Sequence, residues 1–287
     1  MKKAGFYILA IIGLISCNDS FMERYPETSI APEVFFKTTT DLELYTNTYY
    51  EYIQPVAYRT SSGASVHSLD VSDNFGIYSD RSDIMDLMRG NTTPETVGGW
   101  NNWGELRRFN FFLQHAQDAS GEADVINHHI GITRLMRATW YYNMIKRYND
   151  VPWYSAPLSD KDEEMLYKGK DSRTVVVDSI MADLEYAVNH ILPDMGNKTR
   201  INKWYAYACM ARICLHEGTF RKYHDELNLQ STADAFLMKA KEAALKIMNS
   251  GLFQIDMTGG PDKAYQNLFI NENLSASPEI ILMVDFN

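Results

Sequence analysis

Three stretches near the C-terminal end of the chain alternate in a way that only helices satisfy. Val177, Ile180, Met181, Leu184, Val188 and Ile191 recur at the spacing of one helix face. Ala206, Met210, Ile213 and Cys214 do the same, and so do Phe236, Ala240, Ala243, Ala244, Ile247 and Met248. The stops are equally plain. Pro193 closes the first, Gly218 stands past the end of the second, and Gly251 takes the left-handed cap after the third. These signals predict helices over 174–192, 202–217 and 232–250. Alanine-rich contact faces let neighbouring helices approach closely. Helix, short turn, helix is the pattern of a tetratricopeptide-like stack, although no strict repeat of about 34 residues is visible.

Further helices are expected over 100–118, from Trp103, Leu106, Phe109 and Leu113, and over about 125–149. Pro32 opens a short helix through Phe36, and Asp41 is placed to cap one carrying Leu42, Tyr45, Tyr49, Tyr52 and Ile53. Between Ala57 and about Gly99 the rhythm is lost in a segment rich in Ser, Asp, Asn, Thr and Gly. Long irregular segments inside a domain usually carry function or disorder. The run Glu279–Val284 looks β-like and has no obvious partner. The expected fold is all-α: a tetratricopeptide-like scaffold with long irregular loops and little β.

The N-terminus reads as a targeting segment. Lys2 and Lys3 precede a nearly continuous apolar run from Ala4 to Ile15, too short to span a bilayer. Leu14-Ile15-Ser16-Cys17 resembles a lipobox, which makes Cys17 the lipidation site, residues 1–16 a signal peptide and 17–31 a tether. An ordinary secretory signal with an incidental cysteine is the alternative. Several acyl chains on one cysteine would anchor the protein stably. Cys209 and Cys214 lie five apart on one helix, with Cα atoms about 8 Å apart, too far for a disulfide. They read as small core residues.

Catalytic signatures are missing. His216-Glu217 begins a zinc-protease motif, but Phe220 stands where the second histidine belongs. There is no G-x-S-x-G elbow, Walker loop or G-x-G-x-x-G. His128-His129 are adjacent and point to different sides of a helix, so no metal site is expected. No cofactor is implied, and pairs such as Glu163-Glu164 read as solvated faces.

The stretch Arg134–Tyr154 interleaves basic and aromatic residues, one signature of a nucleic-acid surface. A step of about 100° per residue dissolves that pattern. Arg134 and Arg137 fall inside the apolar arc, whereas Lys146 and Arg147 fall on the opposite, wet face. The formal net charge of −10 also opposes general phosphate binding. Buried arginines need partners, so Arg134 and Arg137 are read as clamps between helices or, as the alternative, pocket residues. Asn149 can end the helix, and Pro152 prevents its resumption.

At this point the chain resembles the SusD/RagB family of outer-membrane lipoproteins. Leu135-Met136-Arg137-Ala138, Arg147-Tyr148 and Asp150-Val151-Pro152 resemble the family's signature helix. The match has departures: Arg134 alone remains of the usual Glu-Ala-Arg, and Asn149 replaces a glycine. Leu14 to Cys17, Trp100 with Leu106–Asn110, Arg173-Thr174 with Asp183-Leu184, Lys203 to Leu215, Ala243 to Phe253 and Glu279–Ile281 agree in order. The resemblance implies a non-catalytic nutrient-binding protein, anchored by lipid to the outer membrane and facing the exterior. It implies a glycan or other nutrient as ligand, and a TonB-dependent transporter of the SusC type as partner. Family members are longer, so the expected domain, 32–287, is an incomplete one at its C-terminal side. The residues that suit a sugar lie in the loop region: Asp73, Asn74, Tyr78, Arg81, Trp100 and Asn101. Trp100 and Trp103 either form a stacking platform or anchor a helix start in the core. The competing function is a helical-repeat scaffold that binds only protein.

Overall fold

The computed structural model describes residues 35–53, 89–91, 93, 95–96, 100, 103–193 and 198–284. Its helices are α1 (Thr39–Asn47), α2 (Trp103–His115), α3 (Ala123–Tyr148), α4 (Glu163–Leu166), α5 (Arg173–His190), α6 (Lys203–Tyr223), α7 (Gln230–Met248) and α8 (Ala264–Ile270). Among the described residues there is no strand, only two isolated bridges, Thr38 to Ser120 and Val151 to Asp171. The fold is all-α, as expected.

Helix α3 is the axis. Its length buries residues on every side, from Ile126 and Ile130 to Tyr141 and Ile145. α5 runs antiparallel along it: Gly131 meets Ala187 and Ile191 near one end, while Ile145 receives Arg173 at the other. α6 and α7 form a second antiparallel pair, with Arg221 bonded to Thr232 and Gly218 against Ala233 and Leu237. α1, with the turn that follows it, and α2 close the other flank through tilted and edge-to-face rings. Tyr49 meets Phe109 at 5.1 Å and Tyr45 meets Phe112 at 5.3 Å between ring centres. Aromatic edges on faces suit such clusters.

Several local expectations are corrected. Thr38, not Asp41, caps α1; Asp41 sits three residues inside and returns the bond to the Thr38 amide at 2.8 Å, completing a capping box. Gly218 does not end a helix. It lies within α6, where an added Cβ would stand 2.8 Å from Leu237, so the glycine lets α6 and α7 touch. Gly251 follows α7 with φ of 70°, the conformation that suits glycine. The run Glu279–Val284 forms no strand. It is held by single bonds instead: the Met283 amide donates to the Lys198 carbonyl and Asn202 donates to the Ile281 carbonyl. Cys209 and Cys214 are free, and burial pushes the Cys214 thiol up to about 12.

His128 and His129 are both buried beneath α1 and the α5–α6 connection. His129 Nδ1 shares a hydrogen bond with Thr46 Oγ1 at 2.9 Å, and His128 Nδ1 accepts the Leu192 amide at 3.1 Å. Burial pushes each imidazole from 6.5 down to about 4. The unfolded chain therefore binds more protons than the folded one between these values. Stability is full above pH 6.5 and falls as pH drops toward 4. Each imidazole contributes up to about 3 kcal/mol of that loss. The melting temperature at pH 5 is expected to lie clearly below that at pH 7.5; equal values would contradict the buried neutral pair.

Candidate functional site

The candidate site is a groove of about 610 Å³ between the start of α2 and the segment that follows α3. Its wall begins where α3 stops. Asn149 adopts φ of 63° and its amide caps the Ile145 carbonyl at 3.0 Å. The Asp150 carboxylate then receives the first amide of α5, from Arg173, at 2.8 Å. Pro152 sets the chain off at an angle, and its carbonyl accepts the Tyr141 hydroxyl at 3.3 Å. That same hydroxyl oxygen accepts the Tyr154 amide at 2.7 Å. Residues 151–158 are thereby tied to α3 and turned so that Tyr154 faces Trp103.

The floor is aromatic. Trp103 packs edge to face on Trp140 at 5.1 Å and on Tyr154 at 5.7 Å. Trp100 lies at the mouth, 40% exposed, edge-on to Trp103 at 5.3 Å and to Tyr148 at 4.9 Å. Tyr167, 86% exposed, forms part of the far lip. The Tyr154 hydroxyl donates to the Met165 carbonyl at 3.1 Å, which braces α4 against the groove. An open groove with fixed aromatic faces and few polar groups is the usual form of a site for a ligand with apolar ring faces.

Beneath the groove lies a buried polar network. Arg137 forms a two-pronged pair with Asp183, at 2.7 and 2.8 Å, and donates to Asn110 Oδ1 at 2.8 Å. The Asn110 amide nitrogen donates to the Tyr154 and Ala156 carbonyls, at 2.9 and 3.3 Å. The guanidinium also lies 5.1 Å from the centre of the Trp153 ring. α2, α3, α5 and the groove wall thus meet at one guanidinium. Arg134 differs: it is partly exposed, 3.8 Å from Asp183, with its guanidinium 4.2 Å over Tyr186.

Of the sequence-predicted ligand residues, Trp100 stands at the groove. Asp73, Asn74, Tyr78, Arg81 and Asn101 lie outside the described residues, as does Cys17. The opposite wall, Tyr154 and Pro157 with Tyr167, escaped the sequence reading. The available signal was Trp153-Tyr154 in a proline-rich loop with no helical period to absorb them.

No protein-family model matches the chain. The whole chain aligns with a SusD-like protein, P2, of Formosa agariphila at 24% identity, covering 53% of that relative. The structure superposes on a SusD-like protein of Bacteroides fragilis with a TM-score of 0.60 at 21% identity, over 92% of this chain and 47% of that one. The chain is similar in sequence to SusD-like proteins and shares their fold. A laminarin-binding SusD-like protein gives the same TM-score of 0.60 at 18% identity, over 85% of this chain and 51% of that one. The chain spans about half the length of the curated relatives it matches. Among its described residues no helix is long and apolar enough to cross a membrane.

Proposed function

We propose that this chain captures a glycan at the groove beside Trp100 and passes it to a TonB-dependent outer-membrane transporter of the SusC type. The observation that carries the reading is the aromatic groove itself: Trp100, Trp103 and Tyr154 fixed on a SusD fold. Indole faces stack on the apolar faces of sugar rings, while an exposed hydroxyl such as that of Tyr167 suits sugar hydroxyls. The laminarin-binding protein of the same fold supports the ligand class. No bond of the glycan is broken in this reading; the protein binds and releases. Residues 1–16 serve as the signal peptide and Cys17 carries the lipid that holds the protein at the outer membrane, facing outward.

Titration calorimetry with an oligosaccharide chosen from a glycan screen tests the binding half. Trp100→Ala is expected to weaken affinity by about tenfold, which is about 1.4 kcal/mol; unchanged affinity would remove Trp100 from the site. Palmitate labelling with and without Cys17→Ala tests the anchor, and co-purification with an outer-membrane β-barrel tests the partner. A second reading, a scaffold for another protein, is favoured by exposed apolar side chains at Ile255, Tyr265 and Phe269. It predicts no sugar affinity.

A further inference from the structure

Among the described residues, the groove's rim has the opposite sign to the chain. The chain carries a formal net charge of −10. The side chains lining the groove nevertheless include, among the described residues, the cations Arg107 and Lys168 and no carboxylate. Another cation, Lys170, holds its Nζ 5.5 Å from the centre of the Trp100 ring. Lys168 is partly answered: its Nζ lies 2.6 Å from the Asp171 carboxylate and donates to the Trp153 carbonyl at 3.0 Å. Arg107 gives one Nη1 hydrogen to the Leu158 carbonyl, and among the described residues it has no carboxylate partner. Lys170 also has none there. The neighbouring Arg108 points elsewhere, to Glu51 and Glu105.

A guanidinium carries five donors in a planar fork that matches an oxyanion. Among the described residues, Arg107 uses one of them. The bond to Leu158 fixes that fork on the same wall that Asn110 and Tyr141 hold in place. Neutral sugar hydroxyls accept hydrogen bonds from such groups but gain nothing from their charge. Carboxylates and sulfates gain both the bond and the field.

We propose that the groove selects glycans bearing anionic groups, uronate carboxylates or sulfate esters, with Trp100 and Tyr154 meeting a sugar ring while Arg107 and Lys170 meet its oxyanion. The inference rests on the glycan-binding reading above and narrows it to a substrate class. Arg107 and Lys170 are exposed, so water and salt screen them. The preference is accordingly one of about tenfold in Kd, and it fades with ionic strength.

The test is calorimetric titration of the purified protein with oligosaccharides of matched length: a neutral β-glucan, an oligo-uronate and a sulfated oligosaccharide. Each is run at about 50 mM and about 500 mM salt. At low salt at least one anionic ligand should bind about tenfold more tightly than the neutral one, and the gap should close at high salt. Which of the two anionic ligands wins identifies the source of the oxyanion. Joint Arg107→Gln and Lys170→Gln substitution should abolish the gap, whereas Lys241→Gln, exposed on α7, should preserve it. Neutral binding as tight as anionic binding overturns the inference and leaves the glycan reading standing, as does a preference that survives the joint substitution. Failure of all three ligands to bind overturns both.

Discussion

Glu217→Ala should cost about 3–5 kcal/mol of stability, among the largest effects of any single substitution in this chain. Glu217 is buried and answers two buried arginines. Arg173 reaches it from α5 through Nη2 at 2.7 Å, and Arg221 reaches it from one turn along α6 through Nε at 2.7 Å. Arg173 also bonds the Ile145 carbonyl at the end of α3, and Arg221 bonds Thr232 on α7. One carboxylate thus joins four helices. Its removal strands two cations in a site that excludes water, and each also packs on a ring, Phe220 or Phe236. Arginine alone among common side chains spreads its charge flat enough to fill both roles. A denaturant titration of Glu217→Ala measures the loss. Replacing Arg173, Glu217 and Arg221 together by methionine or leucine should be far milder, since no buried charge is then left unpaired. A triple variant as unstable as the single one would show that packing, not charge, sets the cost.

Arg137→Ala should cost a comparable 3–5 kcal/mol and also damage ligand binding, which Glu217→Ala in a folded remnant should do less. Arg137 and Asp183 are each almost fully buried, so loss of the cation leaves the carboxylate with only the more distant Arg134, at 3.8 Å, and the Asn110 carbonyl without this donor. Asn110 is the link to function. Its amide holds the Tyr154 and Ala156 carbonyls, and that wall faces Trp103 across the groove. Arg137→Lys keeps the charge but cannot form the two-pronged pair, so an intermediate loss is expected. Unfolding midpoints, paired with sugar titrations at a temperature where the variant is folded, separate the two effects. Sugar affinity untouched by Arg137→Ala would break the link between the network and the groove.

The helices were legible because each carries an apolar stripe at helical spacing and a polar stop. The stripe of α5, from Val177 to Val188, is buried as its period requires. Errors arose where one residue type serves two purposes. Glycine past a stripe usually ends a helix, yet Gly218 instead sits at a helix crossing, and nothing local distinguishes the cases. Threonine and aspartate both cap helices, and Thr38 with Asp41 divides the task. The Glu279–Val284 run has strand-forming residues but no neighbouring strand among the described residues. The groove was half legible. Trp100 stood out as an aromatic among amides in a loop. Tyr154 is brought to it by Asn110, 44 residues earlier in sequence, and by the Tyr141 hydroxyl, contacts that no periodicity reveals. His216-Glu217, which begins a metalloprotease motif in sequence, lies in the structure where Glu217 is held by Arg173 and Arg221.

In the proposed function a glycan sits against Trp100 and Trp103. Indole N–H resonances of the protein labelled with nitrogen-15 tryptophan read this directly. Trp204, on α6 against Phe253, lies away from the groove residues and serves as the internal reference. Titration with a bound oligosaccharide should move the Trp100 and Trp103 signals in a saturable way and leave Trp204 in place. Saturable binding that moves Trp204 alone, or none of these signals, would place the glycan elsewhere than in this groove.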